Sequence, residues 1–149
     1  MPSIAEIMAM AQAAGSGIQT IHTVMIVDDD AAARALLRTT LGKAKKNVKF
    51  VEASDGSEAI DYLSTTEKLP ALLITDIMMP NMNGKQAITR VRRKHSKEKL
   101  PIVVCTATNH KTMIVELLQL GVNDVIIKPI DIPTIASRIF RHLPPDEPK

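Results

Sequence analysis

Five apolar segments alternate along this chain with segments that have the apolar spacing of helices, and this alternation limits the folds open to it. The predicted strands are Thr23–Val27, Val48–Glu52, Ala71–Thr75, Ile102–Thr106 and Asp124–Ile127. Such continuous apolar runs are typical of strands buried on both faces of a parallel sheet. With short connections and right-handed crossovers, helices cover both faces, so the pattern predicts a doubly wound α/β fold.

The helical segments carry recognisable start and stop signals. They begin near Ala31, Ser57, Lys85, Lys111 and Ile132 and extend to about Leu41, Glu67, Lys94, Leu120 and Leu143. Asp30 is of the type that caps helix N-termini, so we expect it to cap the first helix. Gly121 follows the fourth helix, where a glycine commonly ends a helix.

The composition is that of one folded domain with short extensions. Of the 149 residues, 45% are apolar and 23% are charged, which is ordinary for a soluble globular fold. We expect the domain to span residues 21–143, with an N-terminal extension at 1–20 that is helical or flexible and a polar tail at 144–149. Whether the extension is a partner-binding helix or a feature of the start site is left open.

Cysteine content and hydropathy favour a cytoplasmic location. Cys105 is the lone cysteine, which excludes an internal disulfide and fits a reducing compartment. No apolar run approaches the ~20 residues that span a bilayer. The apolar segment at residues 4–11 is short and lacks the positive flank of a secretory signal. We therefore expect no membrane contact.

Basic residues cluster at Lys43–Lys46 and between Arg90 and Lys99. Such patches suit nucleic acid, but they also suit the solvated C-terminal ends of helices, where cations face the negative end of the helix dipole. No aromatic side chains interleave with these charges to stack on bases, so the second interpretation is favoured. We expect no direct contact with nucleic acid.

Three carboxylates follow the first and third strands. Asp28 and Asp29 come directly after one, and Asp76 after the other. Ligands of doubly wound folds bind at the carboxyl ends of the strands. If the two strands are neighbours, the carboxylates converge and repel one another, and a divalent cation relieves the repulsion. Their hard oxygen atoms favour Mg²⁺, although each Asp taken alone is more commonly a turn or cap residue.

Thr106 ends the fourth strand and Lys128 follows the fifth, which indicates more than a metal site. A lysine and a hydroxyl directed at one carboxylate supply a charge and a donor for phosphoryl oxygens. An aspartate carboxylate is a known nucleophile toward phosphoryl groups. The combination predicts that Asp76 is the nucleophile of a phosphoryl transfer.

Over residues 22–143 the chain resembles the receiver domain of two-component response regulators. The resemblance is carried by the segments Val27–Asp30, Thr75–Gly84, Leu100–Ala107 and Gly121–Pro129. It implies a flavodoxin-like (βα)5 fold whose five-stranded parallel sheet has the order 2-1-3-4-5. It also implies a signalling switch that catalyses only its own phosphorylation and slow dephosphorylation.

The resemblance assigns roles to the residues at the strand ends. Asp76 is the expected phosphoacceptor, loaded by a histidine kinase or a histidine phosphotransfer protein. Mg²⁺ or Mn²⁺ is expected to bind Asp29 directly, Asp28 mainly through water, Asp76, and the backbone carbonyl of Met78. Thr106 and Lys128 are expected to contact the phosphoryl group.

Four further positions are implied to switch or tune the domain: Ala107, Thr108, Val125 and Pro129. The Lys128–Pro129 peptide is expected to be cis. Val125 departs from the family, which commonly has Tyr or Phe there, so the usual coupling of threonine movement to ring rotation cannot operate. Neither Met78 nor Thr108 is suited to orient an attacking water, which predicts slow self-dephosphorylation.

The signal is expected to leave through altered protein–protein contacts. The fourth helix, fifth strand and fifth helix form the expected output face, whose surplus apolar residues could contact a downstream protein or a second copy of the chain. A further output domain after Pro144-Pro145 is the other alternative.

Three other functions are compatible with parts of the pattern. A haloacid-dehalogenase-like phosphatase also uses a nucleophilic Asp, but Asp28–Ala32 lacks the nearby Thr of that family. A flavodoxin-like cofactor binder would need a phosphate loop rich in Ser, Thr or Gly after the first strand. A degenerate receiver that serves as a phosphorylation-independent docking module is disfavoured, because all five key side chains are present.

Overall fold

The computed structural model describes residues 3–7 and 20–145, and the sheet lies at the centre of the second range. Its strands are β1 (His22–Val27), β2 (Val48–Ala53), β3 (Leu72–Thr75), β4 (Ile102–Thr106) and β5 (Asp124–Ile127). All neighbouring strands pair in parallel, in the order β2-β1-β3-β4-β5. The predicted flavodoxin-like topology is therefore confirmed.

Five helices connect and follow these strands. They are α1 (Ala31–Ala44), α2 (Gly56–Thr65), α3 (Gly84–Lys94), α4 (Lys111–Gln119) and α5 (Ile132–Phe140). Asp30 caps α1 as predicted, because its side chain accepts a hydrogen bond from the backbone N–H of Ala32. Gly121 follows α4 with φ +101°, a left-handed conformation that glycine adopts without steric cost.

The predicted element boundaries shift by a few residues. The α2 helix begins earlier than Ser57 because the side chain of Asp55 caps it by accepting from Glu58 N. The α5 helix ends before Leu143, since its last carbonyls are already bonded by the turn at Arg141 and His142. Leu143 still packs against the core, which is why its apolar spacing extended the predicted helix.

Two apolar cores lie on opposite faces of the sheet. Side chains alternate along β1, so that Met25 and Val27 face the core that contains residues of α2, α3 and α4. Val24 and Ile26 face the other core, which contains residues of α1 and α5. Burial on both faces explains why the strands are apolar at successive positions.

The predicted N-terminal extension lies largely outside the described residues. Within it, residues 4–7 are helical. Among the described helices, none is long and apolar enough to cross a membrane.

Arg92 contradicts the interpretation of the second basic cluster as a wholly solvated helix end. Its guanidinium is half-buried and donates to the carbonyls of Gly121 at 2.8 Å and Leu100 at 2.9 Å, and to Asn123 Oδ1 at 3.1 Å. Burial lowers the pKa of Arg92. The exposed side chains of Arg93 and Lys94 do fit the solvated interpretation.

Candidate functional site

The carboxyl edge of the sheet brings distant residues together because parallel strands end at the same level. Val27 of β1 is in register with Thr75 of β3, so Asp28 and Asp76 follow them side by side. The Asp76 backbone N–H donates to the Val27 carbonyl at 2.9 Å. Lys128 reaches the same edge, since its N–H donates to the Thr106 carbonyl at 2.8 Å.

Three carboxylates converge at this edge. Asp28, Asp29 and Asp76 each offer an oxygen atom, and these atoms lie within 4.8 Å of one another. Asp28 is 3% exposed, whereas Asp29 is exposed to solvent. The Oδ1 atom of Asp28 accepts from Asp30 N at 2.9 Å, which holds the turn between β1 and α1. The predicted convergence of these side chains is therefore what the fold produces.

Lys128 bridges two of the carboxylates. Its Nζ atom lies 2.7 Å from Oδ2 of Asp28 and 2.9 Å from Oδ2 of Asp76. Burial alone would lower the pKa of Lys128, but its hydrogen bonds and charge interactions with the two aspartates outweigh burial and raise its pKa. Lys128 therefore stays positively charged beside the acidic cluster.

The other oxygen of Asp76 faces the backbone. Oδ1 accepts from the N–H of Ile77 at 2.6 Å and from that of Met78 at 3.4 Å. The carboxylate is thus held by backbone donors on one side and an ammonium group on the other. Its orientation is fixed, although its side chain remains 12% exposed and open to a reactant.

Thr106 lies at the edge but does not bond to Asp76 within residues 20–145. It is 1% exposed, and its Oγ1 atom accepts from the N–H of Thr108 at 3.3 Å. Ala107 is exposed and Thr108 is half-buried. The hydroxyl is therefore engaged by its own loop in this conformation.

Three other positions singled out in the sequence are placed as follows. The Lys128–Pro129 peptide is cis, as predicted. Val125 is half-buried and packs against the core that contains residues of α2, α3 and α4. Met78 is 68% exposed beside the acidic cluster.

The loop between β3 and α3 is pinned to α2 by residues that were not predicted as functional. Asn81 donates from Nδ2 to Oδ2 of Asp55 at 2.9 Å and adopts φ 62°, which Asn tolerates better than most residues. Gly56 N donates to the Met82 carbonyl at 3.0 Å. The run of Pro80, Asn81 and Gly84 predicts turn chemistry, but no sequence signal identifies Asp55 as its anchor.

Gly84 allows this loop to pass close to the site. A Cβ atom at Gly84 would lie 2.3 Å from the carbonyl oxygen of Asp76 and 2.8 Å from Cα of Ile77. Both contacts are with backbone atoms, which cannot rotate away. Glycine is therefore required by close approach, which a sequence pattern alone does not reveal.

Arg34 supports the opposite side of the site. Its guanidinium donates to the backbone carbonyl of Asp28 and forms an ion pair with Glu52 at 3.0 Å. Arg38 pairs with the same glutamate. These contacts connect the turn that carries Asp28 and Asp29 to both α1 and β2.

The donor set fits a hard divalent cation. Three formal negative charges face the positive charge of Lys128, so the cluster is net negative. Carboxylate oxygens together with room for water at the exposed Asp29 suit Mg²⁺, which usually keeps several of its waters. The arrangement can therefore hold a cation beside a positioned carboxylate and a lysine.

Comparisons with known proteins agree with this geometry. Residues 24–140 match the model of the response regulator receiver domain family. The chain is 37% identical over 106 residues to the chemotaxis protein CheY of Thermotoga maritima, covering 71% of this chain and 84% of that one. It is 35% identical over 106 residues to a CheY homolog of Campylobacter jejuni, with 71% and 80% covered.

A solved structure with the same fold is the chemotaxis response regulator CheY4 of Vibrio cholerae. It superposes with a TM-score of 0.73 at 26% identity, covering 83% of this chain and 100% of that one. The sheet order and the acidic edge indicate the same family as the matched family model and these relatives. The chain belongs to the response regulator receiver domains of two-component signalling systems.

Proposed function

We propose that this protein is a signalling switch that is phosphorylated on Asp76 by a phosphohistidine donor, either a histidine kinase or a histidine phosphotransfer protein. The observation that carries the proposal is the position of Lys128, whose ammonium group contacts both Asp28 and Asp76. A lysine in that place stabilises negative charge on a group bound to Asp76. The receiver unit spans residues 21–143, flanked by an extension at 1–20 and a tail at 144–149.

In the proposed reaction a carboxylate oxygen of Asp76 attacks the phosphorus atom of the donor. The new O–P bond forms an acyl phosphate as the P–N bond to histidine breaks, and the imidazole leaves as the neutral base after taking up a proton. Lys128 neutralises charge on the transferring phosphoryl oxygens. The Ile77 and Met78 amides orient the nucleophile.

The cation site supports the same reaction. Asp28, Asp29, Asp76 and the carbonyl of Met78 would hold Mg²⁺ or Mn²⁺, which would supply charge neutralisation at the phosphoryl oxygens. Because Asp28 already accepts from Lys128 and from Asp30 N, Asp29 has the freer carboxylate for direct ligation. This supports direct ligation by Asp29 and a water-mediated role for Asp28.

Thr106 is proposed to leave its bond with Thr108 N and to donate to the phosphoryl group. That movement would carry Ala107 and Thr108 with it and favour one of two arrangements of the loop before α4. Pro129 would hold Lys128 in place during the change. Slow self-dephosphorylation stays a prediction, and the exposed thioether of Met78 supports it, since it cannot orient water.

The output is proposed to pass through the face formed by α4, β5 and α5. Apolar side chains are exposed there: Val115, Leu118, Ile127 and Ile132. They suit a downstream protein target, an output domain or a second copy of the chain. Val125 lies beneath this face and has no aromatic ring. Phosphorylation of Asp76 is therefore proposed to reach this face through displacement of the loop between β4 and α4. A cytoplasmic location is part of the proposal, supported by the free, buried Cys105, which fits a reducing compartment.

The competing function is a degenerate receiver that docks partners without phosphorylation. Incubation with acetyl phosphate and Mg²⁺, followed by intact-mass measurement, separates the two. We expect one added phosphoryl group in the wild type and in Asp61→Asn, whose exposed carboxylate lies on α2, and none in Asp76→Asn. Unmodified wild type, or equal modification of Asp76→Asn, would favour the docking module.

A further inference from the structure

A groove separates α2 from α3 on the side of the domain away from α5. Two adjoining hollows make up this α2–α3 groove, with volumes of about 600 Å³ near the β3–α3 loop and about 510 Å³ toward the C-terminal ends of the helices. Arg90 and Arg93 line both hollows, so the two lie side by side along α3. The groove is outside the acidic cluster and outside the α4–β5–α5 face.

The lower hollow has an apolar floor, and the residues that line the groove from α2 are uncharged. Ile60, Leu63 and Val91 line the lower hollow, and each also packs with the core beneath. Ser57 and Ser64 line the groove from α2. An occupant therefore meets an apolar strip flanked on one side by small polar residues.

The α3 wall is strongly basic. Arg90, Arg93 and Lys94 are exposed, and in residues 20–145 none of them has a carboxylate within salt-bridge distance. Spacings of three and four residues place them on one side of the helix. Lys85, at the upper end, differs because it pairs with Glu116 at 2.6 Å.

His95 lines the lower end of the groove. Its Nδ1 atom is buried and lacks a hydrogen-bond partner within the described part of the chain. Burial lowers the pKa of His95, and the positive charges of Lys99, Lys94 and Arg92 lower it further. Three cations, Lys99, Lys94 and Arg92, therefore lie close enough to the lower end of the groove to disfavour a charged His95.

We propose that the α2–α3 groove binds an acidic amphipathic helix of another protein, with its apolar side chains on Ile60, Leu63 and Val91 and its carboxylates on Arg90, Arg93 and Lys94. An amphipathic helix in an apolar groove is a common mode of recognition. Arginine pairs with carboxylates in a bidentate geometry. The apolar floor and the absence of aromatic residues among those lining the groove disfavour single-stranded nucleic acid, whose bases stack on aromatic side chains.

This interaction goes beyond the phosphorylation switch and does not depend on it. It can be tested on the unphosphorylated full chain with a designed peptide of about 15 residues, near the lower length limit for an isolated helix. The peptide has Leu at i, i+3, i+4 and i+7, Glu on the side that faces the basic wall, and Ala, the best helix former, elsewhere. We expect saturable NMR shifts in the amides of α2 and α3 along the groove. Replacing Leu by Ser, or Glu by Lys, in the peptide should abolish them.

Matched charge reversals in the protein test the basic wall. Arg90→Glu with Arg93→Glu should weaken peptide binding by about tenfold or more, as for other interfacial charge pairs. Lys43→Glu with Lys46→Glu changes net charge equally at the end of α1 and should leave the affinity unchanged. Ser64→Glu, which adds one negative charge to the α2 wall, should also weaken binding; spectral dispersion confirms that each variant is folded.

Three outcomes would overturn the proposal. The first is no saturable shift at millimolar peptide, or shifts confined to α4, β5 and α5. The second is equal weakening by the Arg90/Arg93 and Lys43/Lys46 variants, which would indicate net charge alone. The third is tighter binding of a single-stranded oligodeoxynucleotide than of the peptide in the groove, which would assign the surface to nucleic acid.

Discussion

The Nζ atom of Lys128 lies 2.9 Å from Oδ2 of Asp76, although 52 residues separate the two in sequence. The contact exists because β3 and β5 run parallel and deliver both residues to one edge of the sheet. Lys128 also contacts Asp28, so one ammonium group compensates two carboxylates. The following predictions depend on this edge and on the elements that support it.

Replacing Lys128 by Gln should slow phosphorylation by acetyl phosphate while leaving the fold intact. Loss of one positioned charge at a developing anion costs about 10²–10³ in rate, so we expect a fall of about a hundredfold. Intact-mass time courses at fixed Mg²⁺ measure it. Lys49→Gln, at an exposed position of the edge strand β2, is the control. An equal effect of that change would show that the loss is not specific to the site.

Replacing Gly84 by Ala should destabilise the fold, because the new Cβ would lie 2.3 Å from the Asp76 carbonyl oxygen. Overpacking against backbone typically costs about 1–3 kcal/mol in the free energy of unfolding. Gly42→Ala is the matched control, since its Cβ would lie 3.6 Å from Phe50 in ordinary contact. Inside α1 that change should stabilise by about 0.5–1 kcal/mol. Urea unfolding measures the free energy of unfolding of both variants. Equal changes in Gly84→Ala and Gly42→Ala would contradict the prediction.

Cys105 should be unreactive toward iodoacetamide at neutral pH in the folded protein. Burial raises the pKa of its thiol to about 12, so the reactive thiolate is scarce. Alkylation followed by mass spectrometry should proceed only under unfolding conditions. Rapid alkylation of the native chain would show that β4 opens readily.

The pH dependence of stability should include a contribution from Asp124. Burial alone would raise the pKa of Asp124, but hydrogen bonds and charge from Arg138, with a hydrogen bond from His142, hold the pKa below its ordinary value. A lowered carboxyl pKa stabilises the fold above the unfolded-state pKa, and this contribution is lost as the pH falls through the folded-state value.

Asp124→Asn should therefore reduce the free energy of unfolding at pH 7 by roughly 1 kcal/mol, the size of a typical hydrogen-bonding loss. The difference from wild type should shrink as the pH falls below 4, measured by urea unfolding across the range. A difference that stays constant from pH 7 to pH 3 would show that charge at Asp124 is not its source.

The sheet order and the acidic edge could be predicted from sequence because both depend on periodicity. Continuous apolar runs mark buried parallel strands, and the residues directly after them must meet at one edge. Asp28, Asp76 and Lys128 follow that rule. The same pattern predicts Asp76 as a nucleophile toward phosphoryl groups and Lys128 as the charge beside it. The phosphohistidine donor and the division of metal ligation between Asp28 and Asp29 came from the family resemblance.

The supporting contacts could not be predicted because they join loops through tertiary geometry. The basic neighbours of Arg92 in sequence predict a solvated helix end, yet Arg92 donates to the Leu100 carbonyl in the segment after its own helix and to the Gly121 carbonyl after α4. The sequence predicts Asn81 as a turn residue, but its hydrogen-bond partner Asp55 lies 26 positions away. Neither pairing leaves a periodic signal.

The central claim is tested most directly by locating the phosphoryl group on the chain. The wild type is treated with acetyl phosphate and Mg²⁺, reduced with borohydride at the acyl phosphate, digested and sequenced by tandem mass spectrometry. The account predicts a reduced side chain at Asp76 alone, which disappears when EDTA removes the metal. Modification at another aspartate, or no modification with Mg²⁺ present, would contradict it.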